Sequence, residues 1–330
     1  VQAMRPKVAG FCGACHTMPQ PEFFTKWTWL HEVINGYRFH EMSGRKDLEL
    51  PLIHEVAQFY RAQAPERLEL PEVNTQPQPD SFSWRREDVV VEGLSDSHSP
   101  AVSFLRWGRL DEDEPELLLC EMASGIVMSV QRRETSWRVR RYGRVTNPAH
   151  VEPCDLDGDG RTDLVVASLG SFLPEDHDEG GVIWLRRRGE GFQPVVLVEG
   201  VGRVADVQPI DFDGDGDIDL VAAEFGFLRT GGILLLENTG SDGGMPQFVS
   251  RRIDPRHGTI HVPVSDLNND DVPDFVALIS QEYETVEVFL GRGDGTFDTE
   301  RIYSVNNPAY GSSGIQLIDM DGDADLDVLY

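Results

Sequence analysis

Two periodicities divide the chain. Before residue 70 the apolar positions recur at helical spacing: Phe24, Trp27, Leu30, Val33 and Ile34 after Pro21, and Leu52, Ile53, Val56, Ala57 and Tyr60 after Pro51. Proline suits the first turn of a helix, so both runs read as helices, over 22–34 and over 51–63, the second stopping at Ala64-Pro65. Between Leu70 and Ser83 the pattern dissolves into LPEVNTQPQPDSFS, where Pro71, Pro77 and Pro79 among polar spacers predict a semi-rigid linker. Beyond it the apolar runs are short and Val-rich: DLVVASL, DLVAAEF, DFVALIS, GGVIWLRR, GGILLLEN and VEVFLGRG, punctuated by Gly turns. Such runs predict strands, and no amphipathic stretch of helical length competes with them.

The strands belong to a repeat. Asp155-Leu-Asp157-Gly-Asp159-Gly-Arg161-Thr-Asp163 returns as Asp211, Asp213, Asp215, Asp217 and Asp219, then as Asp266, Asn268, Asp270, Val272 and Asp274, then as Asp319, Asp321, Asp323, Asp325 and Asp327. The spacings are 56, 55 and 53 residues, and a fixed period of this size indicates a solenoid or a propeller. Several short strands per period favour propeller blades. The loop has a calcium rationale. Oxygens at positions 1, 3, 5 and 9, with the backbone carbonyl of position 7 (Arg161 and Val272 included), converge on one hard cation, and Gly160 and Gly216 serve the turn at position 6. A bidentate Glu at position 12 and flanking helices are both missing, so the loop is not an EF-hand. The alternative is a solvated acidic turn. The third loop, with Asn268 and Asp271, and the fourth, with Ala324 at position 6, depart furthest from the pattern. A degenerate copy near residue 110, LDEDEPEL, keeps the strand frame and loses the ligand spacing, so it is expected to hold no metal.

Near the N-terminus stands Cys12-Gly-Ala-Cys15-His16. Two thiols at this spacing can add to the two vinyl groups of one haem while the adjacent imidazole takes the iron, so haem c is the expected cofactor. A structural zinc site is the alternative, but no second Cys/His pair lies at zinc-ribbon spacing. HEVIN and HEVAQ lack the second His of a metalloprotease helix.

The N-terminal segment resembles short c-type cytochrome modules, in which CxxCH precedes T-M-P-x-P. The resemblance covers residues 1–70, and CxxCH is its specific part. It implies a second axial ligand before the last helix, the place of Met42. His40 is the rival, followed by His31 and His54, while Met18 follows His16 too closely to reach the opposite haem face. The Asp loops resemble the FG-GAP (VCBS-type) repeat, D-x-D-G-D-G-x-x-D-L-hydrophobic, known from β-propellers. The two resemblances imply a multidomain chain: a small all-α cytochrome c-like domain (1–70), a Pro-rich linker with the strand that enters the propeller (71–95), and an all-β propeller (96–330). A period near 55 leaves room for about four to five blades, where the family usually has seven, so the propeller is expected to be incomplete in this chain.

Composition adjusts this picture. The 330 residues carry 29 Lys+Arg against 57 Asp+Glu, a net charge of −28 that argues against nucleic acid or anionic lipid as partner. No apolar run is long enough to cross a bilayer. Covalent haem and weak calcium sites both imply the periplasm, the cell surface or the extracellular space. The leading expectation is an exported electron carrier whose calcium-stabilised propeller binds a ligand or partner. Its partners would be a redox protein or small electron acceptor, and an extracellular glycan or protein. Two alternatives stand: a propeller dehydrogenase passing electrons to the attached haem, and a calcium-dependent adhesion or carbohydrate-binding protein. No catalytic residue stands out, so the chain's status as an oxidoreductase is left open. His150, Asp206 and His261 each precede a loop by five residues, which suggests a lined channel or satisfied strand polars. Cys120 and Cys154 read as buried strand thiols or a disulfide, and the RGD at Arg292–Asp294 as a hairpin turn.

Overall fold

The computed structural model describes residues 2–14, 18–68, 100–110, 115–133, 137–227, 229–281, 283–305 and 310–330. These fall into two compact units, residues 2–68 and residues 100 onward. The expected linker, 71–95, lies outside the described residues.

The first unit holds helices α1 (Arg5–Cys12), α2 (Trp29–Ser43) and α3 (Ile53–Arg61), with 3₁₀ turns at Gln2–Met4 and Pro21–Phe23. Val8, Trp29, Val33, Val56, Ala57, Phe59 and Tyr60 form its core. The third helix follows the expected phase at Val56, Ala57 and Tyr60, while Leu52 and Ile53 at its start are exposed and Phe59 joins the buried face. The second does not: it starts at Trp29 rather than near residue 22, and Trp27, Leu30 and Ile34 are exposed. The reason is Trp29, whose ring stacks on Tyr60 with centroids 3.9 Å apart and whose indole N–H donates to the Pro21 carbonyl at 2.8 Å. That anchor rotates the buried stripe to Trp29, Val33 and Tyr37. Helix α1 has too few apolar residues to show a period; only Val8 and Phe11 are buried.

The second unit is a series of antiparallel sheets, each a meander in sequence order. The first contains β1 (Val102–Gly108), β2 (Glu116–Glu121), β3 (Ile126–Arg132) and β4 (Trp137–Arg144), and the second β5 (Pro148–Cys154), β6 (Asp163–Ser168), β7 (Gly180–Arg188) and β8 (Gly191–Val201). The third contains β9 (Val204–Ile210), β10 (Asp219–Glu224), β11 (Gly232–Asp242) and β12 (Met245–Asp254). The fourth contains β13 (Thr259–His261), β14 (Val264–Ser265), β15 (Asp274–Ile279), β16 (Thr285–Gly291) and β17 (Phe297–Ser304). A fifth pairs β18 (Gln316–Ile318) with β19 (Asp327–Leu329). Pro263, which has no N–H to donate, separates β13 from β14, and both pair with β15.

All six residues of β6, β10 and β15 are buried, which is why their sequences run apolar without alternation. Each of these strands serves two cores. Leu164 and Val166 pack toward Leu118, Cys120 and Val127 of the first sheet, while Val165 and Ala167 pack toward Val204, Val207, Leu220 and Ala222 of the third. Val221 and Ala223 then meet Phe275, Ala277 and Ile279. The sheets thus stack face to face in chain order. The series is open: among the described residues hydrogen bonds nowhere join the fifth sheet to the first. Cys120 and Cys154 are free thiols pushed up by burial, so the disulfide expectation is set aside.

Phe275 stacks on Phe289 at 4.5 Å and meets Phe297 edge-on at 5.1 Å, in the core shared by the third and fourth sheets. Phe275→Ala is expected to destabilise the repeat unit by about 3–5 kcal/mol, measured as the shift of its urea unfolding midpoint at unchanged slope.

Candidate functional site

Each Asp loop joins two consecutive strands of its sheet (β5 to β6, β9 to β10, β14 to β15, β18 to β19) and folds by capturing its own backbone N–H groups. The position-1 carboxylate does most of this. Asp155 accepts from Asp159 N at 3.0 Å and Gly160 N at 2.8 Å, and Asp211 accepts from Gly214 N at 2.8 Å and Gly216 N at 3.1 Å. Asp266 and Asp319 repeat the pattern, ending on Asp271 N at 3.0 Å and Ala324 N at 3.1 Å. The position-5 carboxylates Asp159, Asp215, Asp270 and Asp323 accept from the N–H two residues on. Such a tight path needs left-handed backbone at two places. Positions 4 and 6 have φ of 65° and 82° at Gly158 and Gly160, 59° and 64° at Asn269 and Asp271, and 82° and 76° at Gly322 and Ala324. Position 4 is a turn requirement that spacing arguments about metal ligands overlooked.

The folded loops bring together positions 1, 3 and 9. Asp155, Asp157 and Asp163 offer oxygens within 4.8 Å of one another; so do Asp211, Asp213 and Asp219, and Asp319, Asp321 and Asp327. The position-5 aspartates are not members of these triads, and neither are the side chains of Asp217 and Asp325 at position 7, where the backbone carbonyl was the expected ligand. The third loop forms no carboxylate triad, because Asn268 replaces its position-3 acid and its amide donates to Asp270 at 2.9 Å. The acidic residues 111–114 of the degenerate loop lie outside the described residues.

The triads are costly as bare carboxylates. Burial, together with the charges of Asp213 and Asp215, pushes Asp219 up to about 6 against the N–H bonds it accepts from Asn238 and Phe212. Burial likewise raises Asp163, opposed by the Arg187 N–H and the nearby Trp184 indole. Oδ2 of Asp163 is buried without a hydrogen-bond donor, and the buried oxygens of Asp157 meet no aligned donor, only the charge of the Arg186 guanidinium. Oxygens left in this state call for a positive charge, either a hard divalent cation or a guanidinium.

Of the expected haem residues, Cys15 and His16 lie outside the described residues. Cys12 is a free thiol at the end of α1, partly buried beside Tyr60; burial raises it. Met42 and His40 both lie in the last turns of α2, Met42 exposed and His40 with its ring 5.4 Å from Phe11. The same unit leaves Trp27, Leu30, Ile34, Leu52 and Ile53 more than two-fifths exposed around a core of seven residues. A free thiol and this much uncovered apolar surface fit a large apolar group.

A second polar cluster crosses the sheets. His150 Nε2 lies 2.8 Å from Glu152 Oε1 and 3.2 Å from Asp206 Oδ1; His261 Nδ1 lies 3.6 Å from Asp206 Oδ2. Arg106 pairs with Glu152, Gln208 donates to Asp206 at 3.0 Å, and Val262 N to Asp206 at 2.9 Å. The members come from β1, β5, β9 and the β13 edge, each the first strand of its sheet. His150, Asp206 and His261 are therefore brought together, and they satisfy one another. Burial would lower the His150 imidazole, but the Asp206 charge and the hydrogen bond and charge of Glu152 outweigh it, with Arg106 opposing, and the net direction is up.

Among known families, residues 155–222 and 266–330 match the FG-GAP-like repeat. Both matched segments open on the first aspartate of a loop, so the region 155–330 carries FG-GAP-like repeats. No curated protein matches the chain.

A raised histidine contributes stability that is complete below its unfolded pKa, about 6.5, and is lost as pH rises through its folded pKa. The thermal advantage of the wild type over His150→Gln is expected to be largest near about pH 6 and to shrink by about pH 9. An advantage independent of pH would mean that His150 acts through packing alone.

Proposed function

We propose that the repeat region is a calcium-stiffened, β-propeller-type binding platform and the N-terminal unit a c-type haem module. The protein would be exported to the periplasm or cell surface, carry single electrons and hold a ligand or partner. The convergence of the carboxylates at positions 1, 3 and 9, in three loops of one repeat, carries the first half of the reading. Each triad supplies three hard oxygens on a loop already folded, so a divalent cation would relieve the repulsion among them without reorganising the backbone. The CxxCH motif carries the second half. Cys12 and Cys15 would hold the haem by thioether bonds, His16 would take one axial position, and Met42 is the expected second ligand. Bound there, haem would supply a one-electron Fe(II)/Fe(III) couple. The chain's own contribution would be to position it and to cover its faces with the apolar side chains left exposed at Trp27, on α2 and around the start of α3.

Two measurements test the halves separately. At a calcium concentration about 100 times Kd, binding adds about 2.7 kcal/mol, so chelation is expected to lower the melting temperature of the repeat unit by several degrees. Asp213→Asn should remove part of that response; no response to chelator would remove calcium from the structure. Protein produced with c-type haem maturation is expected to keep its haem absorption through acid–acetone extraction, and to lose it in Cys12→Ser/Cys15→Ser. Met42→Ala should change the oxidised spectrum, and an unchanged spectrum would assign the second ligand elsewhere.

A further inference from the structure

The two loops that look most alike in sequence differ in charge. Loop 155–163 holds four carboxylates, and two guanidinium groups rest on them: Arg161 pairs with Asp159 at 2.5 Å, and Arg186 reaches from β7 to Asp157. Loop 211–219 holds five carboxylates and no basic residue, and no Lys or Arg pairs with any of the five among the described residues. Strand register shows where the difference arises. Leu164, Leu220 and Phe275 pair with Leu185, Leu236 and Phe289, so Arg186, Glu237 and Leu290 occupy the same place in three successive repeats.

Arg186 is built into the fold. Its side chain is 9% exposed and that of Asp157 is 2% exposed. The guanidinium lies 5.0 Å from the Trp184 ring centroid, donates to the Gly244 carbonyl at 2.8 Å and contacts the Met245 sulfur at 2.7 Å. Gly244 lies in the turn between β11 and β12 and Met245 opens β12, so the next sheet clamps the arginine onto the loop. The contact to Asp157 is ionic rather than an aligned hydrogen bond, since neither oxygen meets a donor in bonding geometry. A guanidinium carries its charge at every accessible pH. A divalent cation on Asp155, Asp157 and Asp163 would share the buried Asp157 carboxylate with it, and two cations so placed repel with little water between them.

We infer that Arg186 takes the place of the metal in loop 155–163, which closes without a divalent cation, whereas loop 211–219 requires one. The inference rests on the calcium reading of the repeats but can fail independently of it. The ligands themselves remain in position, so removing the arginine should open a site rather than destroy one.

Calorimetric titration of the metal-stripped full chain with calcium tests this. Relative to wild type, Asp213→Asn is expected to lose one equivalent, Asp157→Asn none, and Arg186→Gln to gain one; Arg186→Lys, which keeps the charge, should gain none. Loss of one equivalent in Asp157→Asn overturns the inference while leaving the calcium reading intact, and that comparison decides even if Arg186→Gln does not fold. A folded Arg186→Gln that gains nothing also overturns it. Absence of calcium from the wild type together with a gain in Arg186→Gln would uphold the arginine's role and remove the calcium reading at the other loops.

Discussion

The aspartate that opens the second long strand of each repeat holds both loop and sheet. Asp163, Asp219 and Asp274 are buried, and each accepts a backbone N–H from the neighbouring strand: Arg187 at 2.6 Å, Asn238 at 2.7 Å and Gly291 at 2.8 Å. In the second and third loops the other oxygen takes the N–H of the loop's second residue, Phe212 at 3.2 Å and Leu267 at 2.9 Å. A buried carboxylate is tolerable only with such donors, and the donors fix the loop against the sheet. The remaining acids are then presented in a set order. Repulsion among them is the unfavourable consequence, and a bound cation would offset it. In the first loop a guanidinium from β7 can do the same.

This changes what strict alternation of acids means. Read as sequence, alternation looked like a ligand pattern that a solvated turn would not need. The structure supplies a second cause, because positions 1 and 5 each capture N–H groups further along the loop. Alternation alone is therefore weaker evidence for metal than the convergence of the carboxylates at positions 1, 3 and 9. The repeat itself was fully legible, since a period near 55 residues and Val-rich runs buried on both faces need no tertiary knowledge. Arg186 was not legible. Its role depends on a register that places it over the preceding loop and on a turn from the next sheet, and neither is local in sequence. The helical unit shows the same limit at smaller scale: one stacking contact between Trp29 and Tyr60 outweighed the apolar spacing that began at Phe24.

Stacking in series makes the repeat unit close to one-dimensional: among the described residues each shared core joins neighbouring sheets. Apolar contact supplies the bulk of each interface, but polar residues set the register between sheets. Asp176 receives the backbone N–H of Arg229 at 2.9 Å and the Thr230 hydroxyl at 2.7 Å from the next sheet. Arg256 bridges Asp254 and Glu287 at 2.6 Å each, one acid from the third sheet and one from the fourth. Such pairs add little when exposed, yet here the acid partner is buried in each case, so sliding one sheet past another would strand a carboxylate without its donors. The His150–Asp206 contact obeys the same rule at the first strands, with the added feature that its cation is titratable.

The distribution of charge follows from these constraints rather than from surface solubility. Four, five, four and five aspartates lie in the four loops, close to a third of the 57 acidic residues. A net charge of −28 is therefore partly a count of metal-type ligands. Divalent cations on all three triads would offset six of those 28 charges, so the bare sequence charge overstates only modestly how strongly the folded repeat unit repels an anionic partner. The charge that survives is set loop by loop, by whether the neighbouring strand offers an Arg186, a Glu237 or a Leu290 at one position.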